Sequence, residues 1–372
     1  MTISKINAAL ATVSDPELHK PLTELGMVES VAFESGTATL GILLTISGCP
    51  MRDRLTADIT KAVTAIAEVN AVVINFGVMS EAQRGEVKKL LRGGREKFIP
   101  FAQPDSLTRV FGIASGKGGV GKSSVTVNLA VAVANRGFKV GILDADVYGH
   151  SVPRLMGLAG QRPTAIDQTF IPLEAHGVKV VSMEMFKPDR SDPIAYRGPL
   201  LHRVLEQLLS DAYWGDLDFL FLDLPPGTGD IAISLGQLIP ASEILVVTTP
   251  QVAAAEVAER AGRIAHQLKQ HLVGVVENMS EFPCPHCGEM ISLFGKDGGE
   301  ETAARLSGLV GADVPLLAKI PFDPNLREGG DTGIPLVLRN PESSAAKALE
   351  AIADQLTLRT KSLVGVRLGL ST

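Results

Sequence analysis

Cysteine is scarce in this sequence of 372 residues, which contains three: Cys49, Cys284 and Cys287. An odd and sparse set excludes a disulfide-stapled scaffold and favours metal binding or reactive-thiol chemistry. Long apolar runs are also missing, and without a stretch of about 18 apolar residues we expect no transmembrane helix. Segment 1–20 has neither the apolar core of a signal peptide nor the arginine-rich, acid-poor character of a transit peptide. These absences together predict a cytosolic protein.

Neither sign of charge is strongly in excess. The 41 acidic and 35 basic residues give a formal net charge of −6. A mildly acidic chain has no general electrostatic attraction to nucleic acid or to anionic lipid, so we expect neither nucleic acid nor membrane as a partner. Apolar residues make up 45% of the chain and charged residues 20%, which excludes a disordered or fibrous protein and supplies a large core.

The composition divides the chain into two domains. Residues 1–90 predict a small α/β (α+β) domain. From Glu81 to Ser106 the sequence is basic, aperiodic and interrupted by glycine and proline, and we assign 91–108 as a linker. A larger domain follows over 109–358, with a C-terminal tail over 359–372. The patterns in the first domain predict a helix over Ile3–Val13, a hairpin over Val31–Ile46, a helix over Arg52–Val69 and a strand over Ala71–Met79.

In the larger domain, apolar β-branched runs alternate with helical patterns. Continuous apolar runs predict strands that are buried on both faces, as in a parallel sheet covered by helices. The fold class is therefore α/β, with a doubly wound, mostly parallel sheet and ligands at the carboxyl ends of its strands. The predicted strands are 109–115, 139–144, 178–183, 218–223, 243–249, 272–278 and 314–320. The predicted helices include Ser123–Arg136, Leu200–Ala212, Val252–Gln270 and Ser343–Gln355.

The first of these strands leads into a phosphate-binding motif. GKGGVGKS (Gly116–Ser123) fits the pattern G-x-x-x-x-G-K-[ST] and is followed by a helix. Its glycines allow successive backbone N–H groups to point inward as an anion nest, and the helix N-terminus adds a positive dipole. We expect Lys122 to reach the outer phosphates and Ser123 to hold Mg²⁺. The predicted nucleotide contacts are Gly116, Lys117, Gly118, Gly119, Val120, Gly121, Lys122, Ser123 and Ser124.

A second lysine, Lys117, lies inside this P-loop. The pattern K-G-G-x-G-K-S resembles the deviant Walker A ATPases, which include the MinD/ParA proteins, the nitrogenase iron protein and the Mrp/ApbC proteins. The resemblance implies that Lys117 contacts nucleotide phosphates across a homodimer interface and is catalytic. A cation placed where charge develops on the phosphates meets the physical need of the reaction.

Three aspartates lie at or just after the ends of predicted strands and match acidic positions of these ATPases. Asp144 and Asp146 lie in DADVYGHS, which matches the first switch of these ATPases. The resemblance implies that one aspartate of this switch helps to form the Mg²⁺ shell (Asp144 in our assignment) and that one positions the attacking water. We assign these catalytic roles to the two aspartates jointly. Asp223 ends an apolar strand at the Walker B position and is expected to bind Mg²⁺ through water. Segment 227–229 is the expected second switch.

The choice of nucleotide is less visible in the sequence. Asn278 ends one predicted strand, and the turn Pro321–Asp323 lies at the end of another. The resemblance implies that Asn278, Pro321 and Asp323 hold the adenine edge. A guanine-reading N-K-x-D motif is missing, so ATP is favoured over GTP.

The pair Cys284–Cys287 has C-x-x-C spacing, which suits one soft metal centre. Three alternatives stay open at this point: a redox-active dithiol, a zinc knuckle that needs two further ligands, and ligation by His286. The motif order resembles the Mrp/ApbC iron–sulfur cluster carriers, in which two chains contribute two cysteines each. That resemblance implies a homodimer in which Cys284 and Cys287 of both copies ligate a [4Fe–4S] cluster.

The N-terminal domain carries a resemblance of its own. Ser14–Val28 and Leu44–Met51 are similar to the small domain of SufT-type iron–sulfur assembly factors. Cys49 precedes Pro50, a residue favoured at the first position of a helix, and a thiol at a helix start has a lowered pKa. A small buried hydrophobic role for Cys49 is the alternative.

The function that the resemblance implies is an ATP-binding, slowly ATP-hydrolysing carrier of a labile iron–sulfur cluster. Its partners would be a second copy of the chain, cluster-assembly scaffold proteins and apo iron–sulfur proteins. The alternative is a positioning ATPase of the MinD/ParA class that acts on membrane or DNA. The tail 359–372 does not favour this alternative, because its apolar residues alternate as in a strand rather than with helical spacing.

Overall fold

The computed structural model divides the chain into two compact units, which we describe separately. The first comprises Met1–Phe98 with Thr164–Ile171, and the second comprises Ile99–Pro163 with Pro172–Thr372. The structure describes residues 2–46, 51–91, 98–103, 105–146, 149, 151–166, 169–187, 198–227, 229–284 and 286–358. The predictions for Cys49, Thr228 and the tail 359–372 lie outside these residues.

The first unit is a three-stranded sheet with helices, counted over its described residues. Strand β2 (Thr37–Leu44) pairs antiparallel with β1 (Val28–Glu34) and parallel with β3 (Ala71–Val78). The predicted hairpin is confirmed, and its two turn residues, Ser35 and Gly36, have φ values of 48° and 82°, as the favoured two-residue hairpin turn requires. The elements are α1 (Thr2–Leu10), β1 (Val28–Glu34), β2 (Thr37–Leu44), α2 (Arg52–Thr64), β3 (Ala71–Val78), α3 (Glu81–Leu91), β6 (Ala165–Ile166) and β7 (Thr169–Phe170).

Helix α3 corrects the expectation of irregular chain from Glu81 onward. Its start is fixed by a capping box, in which the Gln83 side chain accepts from the Ser80 N–H at 2.9 Å and the Ser80 hydroxyl accepts from the Gln83 N–H at 3.3 Å. Val87 is buried on this helix. The basic, glycine-containing composition hid this signal, because composition is a weaker guide than the spacing of the capping residues.

The second unit contains the predicted doubly wound sheet. Over the described residues it has eight strands in the order β15-β12-β11-β4-β10-β5-β9-β8, and every neighbouring pair is parallel except β8 with β9. The strands are β4 (Arg109–Ser115), β5 (Val140–Asp144), β8 (Leu173–Ala175), β9 (Val178–Ser182), β10 (Phe219–Asp223), β11 (Glu243–Thr248), β12 (His271–Asn278) and β15 (Leu316–Ile320). All seven predicted strands are confirmed, and the short antiparallel edge strand β8 is additional.

Helices pack against this sheet, and the apolar side chains of strands and helices together form the core. Val125–Val133 of α4 is buried throughout, which explains an apolar pattern on all sides of that helix. The helices are α4 (Lys122–Asn135), α5 (Val152–Leu155), α6 (Gly198–Ser210), α7 (Asp230–Leu238), α8 (Val252–Gln267), α9 (Gly298–Val310), α10 (Pro324–Thr332), α11 (Leu336–Arg339) and α12 (Ser344–Leu358). A small hairpin, β13 (Phe282–Pro283) with β14 (Met290–Ile291), lies between β12 and α9. Among the described residues, no helix is both long and apolar enough to cross a membrane.

Arg109 ties three elements together at the start of β4. Its guanidinium donates to the Glu243 carboxylate of β11 through Nε at 2.9 Å and Nη2 at 2.7 Å, and to the Leu356 carbonyl of α12. It also stacks over the Phe111 ring, 4.7 Å from its centroid. Arg109 and Glu243 are largely withdrawn from water, so loss of the cation would leave a poorly solvated carboxylate.

We predict that Arg109→Ala lowers the free energy of unfolding of the second unit by about 2–3 kcal/mol. Urea unfolding followed by the fluorescence of Trp214, the single tryptophan and 1% exposed, measures this directly. The matched control is Arg263→Ala, since Arg263 is 59% exposed and pairs with Glu259 one helical turn away. That control is expected to change stability by no more than about 0.5 kcal/mol. Equal effects of the two variants would contradict the role given to Arg109.

Candidate functional site

The turn after β4 has the shape that the glycine pattern predicts. Gly119 and Gly121 have φ values of 81° and 80°, a region that side chains rarely adopt. A Cβ atom at Gly121 would overlap the Nδ2 atom of Asn278. Helix α4 begins at the next residue, so the turn delivers its backbone N–H groups and the positive end of the helix to one place.

The carboxylate of Asp223 is the centre of the hydrogen-bond network below this turn. Asp223 is fully buried at the end of β10. It accepts from the Lys122 ammonium at 2.6 Å, from the Ser123 hydroxyl at 2.5 Å and from the Thr126 hydroxyl at 2.9 Å. The serine and carboxylate oxygens are hard donors in direct contact, a set that fits Mg²⁺.

Asp144 lies beside Asp223, because the two residues are partners in the parallel register of β5 and β10. Burial and the nearby negative charge of Asp223 raise the pKa of Asp144 well above its ordinary value, although the Lys122 cation opposes them. The Ser182 hydroxyl donates to Asp144 at 3.2 Å. A divalent cation at this edge would offset the charge of both carboxylates.

Asp146 lies two residues further on, and its surroundings are those of a loop. Its own N–H donates to the Asp144 carboxylate at 3.2 Å, and its carboxylate accepts from the Gly149 N–H at 2.9 Å. Asp146 is only partly buried, in contrast to Asp144. The two aspartates are therefore connected but differ in exposure to water.

Lys117 is directed away from this network within a single chain. Its ammonium donates to the Gln251 side-chain oxygen just before α8. Its own carbonyl accepts from the Ser115 hydroxyl at 3.1 Å, and the Ser115 carbonyl in turn accepts from the Gly227 N–H at 2.8 Å. The P-loop and the predicted second switch are thus joined through Ser115, by its hydroxyl and its carbonyl.

Asn278 ends β12 and contacts the P-loop directly. Its amide nitrogen donates to the Val120 carbonyl at 2.9 Å. Its side-chain oxygen is buried and has no hydrogen-bond partner among the described residues, so it offers an acceptor to a ligand. Asp323 caps α10 by accepting from the Asn325 N–H at 2.9 Å. Pro321 is partly buried in the same turn.

The cysteine pair lies in the turn of the β13–β14 hairpin. The Cys284 N–H donates to the Glu289 carbonyl at 2.8 Å, and the Gly288 N–H donates to the Cys284 carbonyl at 2.8 Å, with Gly288 at a φ of 76°. The backbone N–H groups of Cys287 and His286 hydrogen-bond the Cys284 sulfur and lower the pKa of its thiol. This arrangement presents a thiolate from a turn, whereas a thioredoxin-type dithiol lies at the start of a helix.

Two thiols make an incomplete metal site. Within the part of the chain that the structure describes, no group of three or more Cys, His, Asp or Glu side chains could hold a metal ion. Cys287 is exposed and Cys284 is partly exposed. The side chains of Met290, Ile291 and Leu293, which follow the thiols in the chain, are 47%, 40% and 53% exposed. A group of exposed apolar side chains is typical of an interface.

Comparison with known proteins identifies the family to which this chain belongs. The model of a family described as NUBPL iron-transfer P-loop NTPase matches residues 106–357, and one described as iron–sulfur cluster assembly protein matches residues 3–75. The iron–sulfur cluster carrier protein of Mycobacterium tuberculosis is 56% identical over 367 residues, covering 98% of this chain and 96% of that protein. The chain belongs to this family of iron–sulfur cluster carriers.

More distant relatives agree with this assignment. The iron–sulfur cluster carrier protein of Deinococcus radiodurans is 40% identical over 95% of each chain. A nucleotide-binding protein from Archaeoglobus fulgidus, solved in complex with ADP, is 34% identical, covers 66% of this chain and 96% of its own, and superposes with a TM-score of 0.54. The predicted P-loop NTPase fold and the membership of the carrier family are confirmed. The relatives support a cluster carrier over a positioning ATPase.

Within the described residues, the structure brings Lys122, Ser123, Asp144 and Asp223 together, places Asn278 against the P-loop and leaves Cys284 and Cys287 on a separate hairpin. The roles assigned to these residues stay predictions. Sequence reasoning missed Thr126, Ser182 and Gln251, which contact Asp223, Asp144 and Lys117 respectively. Only Thr126 had a usable signal, because it lies four residues after Lys122 on the same helix face.

We predict that Cys284 is alkylated at lower pH in the folded protein than in urea. Its N–H donors favour the thiolate, and the thiolate is the reactive form, so the rate-against-pH midpoint shifts downward on folding. Iodoacetamide labelling of the Cys49→Ser/Cys287→Ser variant isolates this thiol. The backbone donors remain in that variant. A folded midpoint equal to or above the urea value would contradict the hairpin geometry.

Proposed function

We propose that the chain is an ATP-hydrolysing carrier that holds a [4Fe–4S] cluster between two copies and transfers it to apo iron–sulfur proteins. The observation that carries this proposal is the half-complete thiol site. Cys284 and Cys287 lie together in an exposed turn, with no further ligand near them among the described residues. A twofold axis through the hairpin would supply four thiolates, the ligand set of such a cluster.

The nucleotide half of the proposal assigns one role to each group around the P-loop. The backbone of 116–124 binds the phosphates, and Lys122 pairs with their negative charge in place of Asp223. Ser123, Asp144 and Asp223 hold Mg²⁺, which supplies positive charge to the β- and γ-phosphate oxygens when bound.

The groups further from the phosphates complete this site. Asp144 and Asp146 jointly orient the attacking water. The free oxygen of Asn278 accepts from the adenine amino group, and the turn Pro321–Asp323 borders the base. These contacts make ATP the proposed substrate.

Lys117 links hydrolysis to dimer formation. In one chain its ammonium is bound to Gln251 and stays outside the Lys122–Asp223 network. If the Lys117 side chain turns from Gln251 to the phosphates bound by the partner copy, its ammonium would complete the charge stabilisation that hydrolysis needs. Hydrolysis would then rearrange the dimer that encloses the cluster, so ATP turnover is slow and tied to loading or release.

Residues 1–90 are proposed as the assembly domain, joined to the nucleotide-binding domain by the linker 91–108. The Cys49 thiolate of the assembly domain would bind iron, or would take the outer sulfur of a donor persulfide while the donor cysteine leaves as its thiolate. The chain would work in the cytosol, where thiols stay reduced. Fractionation of cells followed by immunodetection tests this location.

We predict that Lys122→Ala lowers ATP hydrolysis at least about 100-fold, since the variant lacks the cation that meets the transferring phosphoryl group. It also leaves the buried Asp223 without its ion pair, so thermal unfolding followed by Trp214 fluorescence must be measured beside turnover. The matched control, Lys347→Ala, removes a lysine that is 62% exposed and is expected to keep full turnover. Unchanged hydrolysis in Lys122→Ala would contradict the phosphate assignment.

We predict that anaerobic reconstitution with Fe²⁺ and sulfide gives a visible charge-transfer band and about two iron atoms per chain in the wild type. Cys284→Ala is expected to show neither, because the shared site loses two of its four thiolates. The matched control is His286→Ala in the same turn, which is expected to bind iron as the wild type does. Equal iron and sulfide in Cys284→Ala would contradict thiolate ligation by this pair.

A further inference from the structure

The end of β12 is continuous with the stem of the cysteine hairpin. Asn278 holds the Val120 carbonyl of the P-loop, and Cys284 follows six residues later. Between them the Ser280 N–H donates to the Ile320 carbonyl at 3.0 Å. The nucleotide contact and the thiol pair therefore share one short segment of backbone.

This segment is fastened to the loop that borders the proposed base site. The Phe322 N–H donates to the Glu281 carbonyl at 2.7 Å. Phe322 itself lies between Pro321 and Asp323, the two residues assigned to the adenine edge. A displacement of this turn is thereby passed to the hairpin stem through a direct backbone hydrogen bond.

The Phe322 ring contacts the chain on both sides of the hairpin. It meets the Phe282 ring edge-on, with centroids 5.7 Å apart and planes at 78°. It also contacts the Phe294 ring, with centroids 6.3 Å apart and planes at 50°. Phe282 precedes the cysteines and Phe294 follows them, so one side chain fixes both ends of the turn that carries the thiols.

A strained residue lies at the junction. Met279 has a φ of 59°, a left-handed conformation that is unfavourable for a residue with a side chain and persists only where the surroundings impose it. Its terminal methyl carbon lies 3.6 Å from the point where a Cβ of Gly121 would be, so the side chain borders the P-loop. On the far side of the hairpin the Gly299 N–H donates to the buried Glu277 carboxylate at 2.6 Å, which anchors the start of α9 to β12.

We propose that Phe322 is a positioning residue that couples the nucleotide site to the cysteine hairpin, with the strained Met279 as the second link. The inference rests on the proposed function, which assigns 321–323 to the base and Cys284 with Cys287 to the cargo. The coupling runs on the base side of the nucleotide, through packed rings and backbone hydrogen bonds. Nucleotide that fixes Asn278 and the 321–323 turn thereby restricts the hairpin, and by linkage the hairpin state alters nucleotide affinity by the same factor.

The test measures the alkylation rate of Cys284 in the Cys49→Ser/Cys287→Ser background, with and without saturating MgADP. In this background we expect MgADP to change the rate about fivefold, the lower end of ordinary coupling between sites. With Phe322→Ala added, the ratio of the two rates is expected to fall to about one at an MgADP concentration that calorimetry shows to saturate this variant. Light scattering checks that all samples have the same association state.

Two further variants keep the test decisive. Met279→Gly adopts the positive φ without strain and loses the side chain beside Gly121, so it should fold normally and also lose the nucleotide effect. Phe138→Ala is the matched control, because it removes an edge-on partner of Phe219 that is remote from the hairpin, and it should keep the full effect. Should Phe322→Ala fail to fold, Phe322→Leu replaces it and should show a reduced ratio.

The coupling is overturned if MgADP leaves the rate unchanged in the double-Ser background, or if Phe322→Ala or Phe322→Leu keeps the full ratio. These measurements use neither iron nor sulfide. If MgADP changes the alkylation rate but reconstitution gives no cluster, the carrier function is contradicted and the coupling is supported. If a cluster forms but MgADP does not change the rate, the coupling is contradicted and the carrier function is supported.

Discussion

A buried negative charge at the centre of the sheet organises the nucleotide half of this protein. Asp223 is out of contact with water, and an isolated carboxylate in such a place would be strongly destabilising. The Lys122 cation and the hydroxyls of Ser123 and Thr126 compensate it, and all three come from the first turns of α4. The position of this helix, and hence the shape of the P-loop before it, therefore depends on a charge that β10 carries.

The sequence alone predicts those elements whose pattern lies within the element itself. Strands buried on both faces give unbroken apolar runs, so seven of the eight described strands of the large sheet could be predicted, while the three-residue edge strand Leu173–Ala175 could not. Helix Gly298–Val310 has a weak sequence signal because it begins with two glycines, which are poor helix formers. Those glycines are needed where the helix start contacts the Pro250 backbone and the Glu277 side chain, a constraint visible only in three dimensions. The Gln251 contact of Lys117 likewise joins residues distant in sequence.

The thiol site follows a different principle from the nucleotide site. The P-loop and its acidic partners are preorganised within one chain, whereas the cysteine hairpin offers two ligands, an apolar surface and hydrogen bonds that favour a thiolate. In the proposed dimer this site binds cargo only while the two chains stay together, which suits delivery better than permanent storage. In the proposed coupling, the shared backbone of β12 and the Phe322 ring connect the nucleotide site to the cysteine hairpin.

Sharing of one cluster by two chains is tested most directly by native mass spectrometry of the anaerobically reconstituted wild-type protein. The expected species has the mass of two chains plus one [4Fe–4S] cluster, and acid release of the iron should return single chains. A single chain that carries the complete cluster would contradict the shared site.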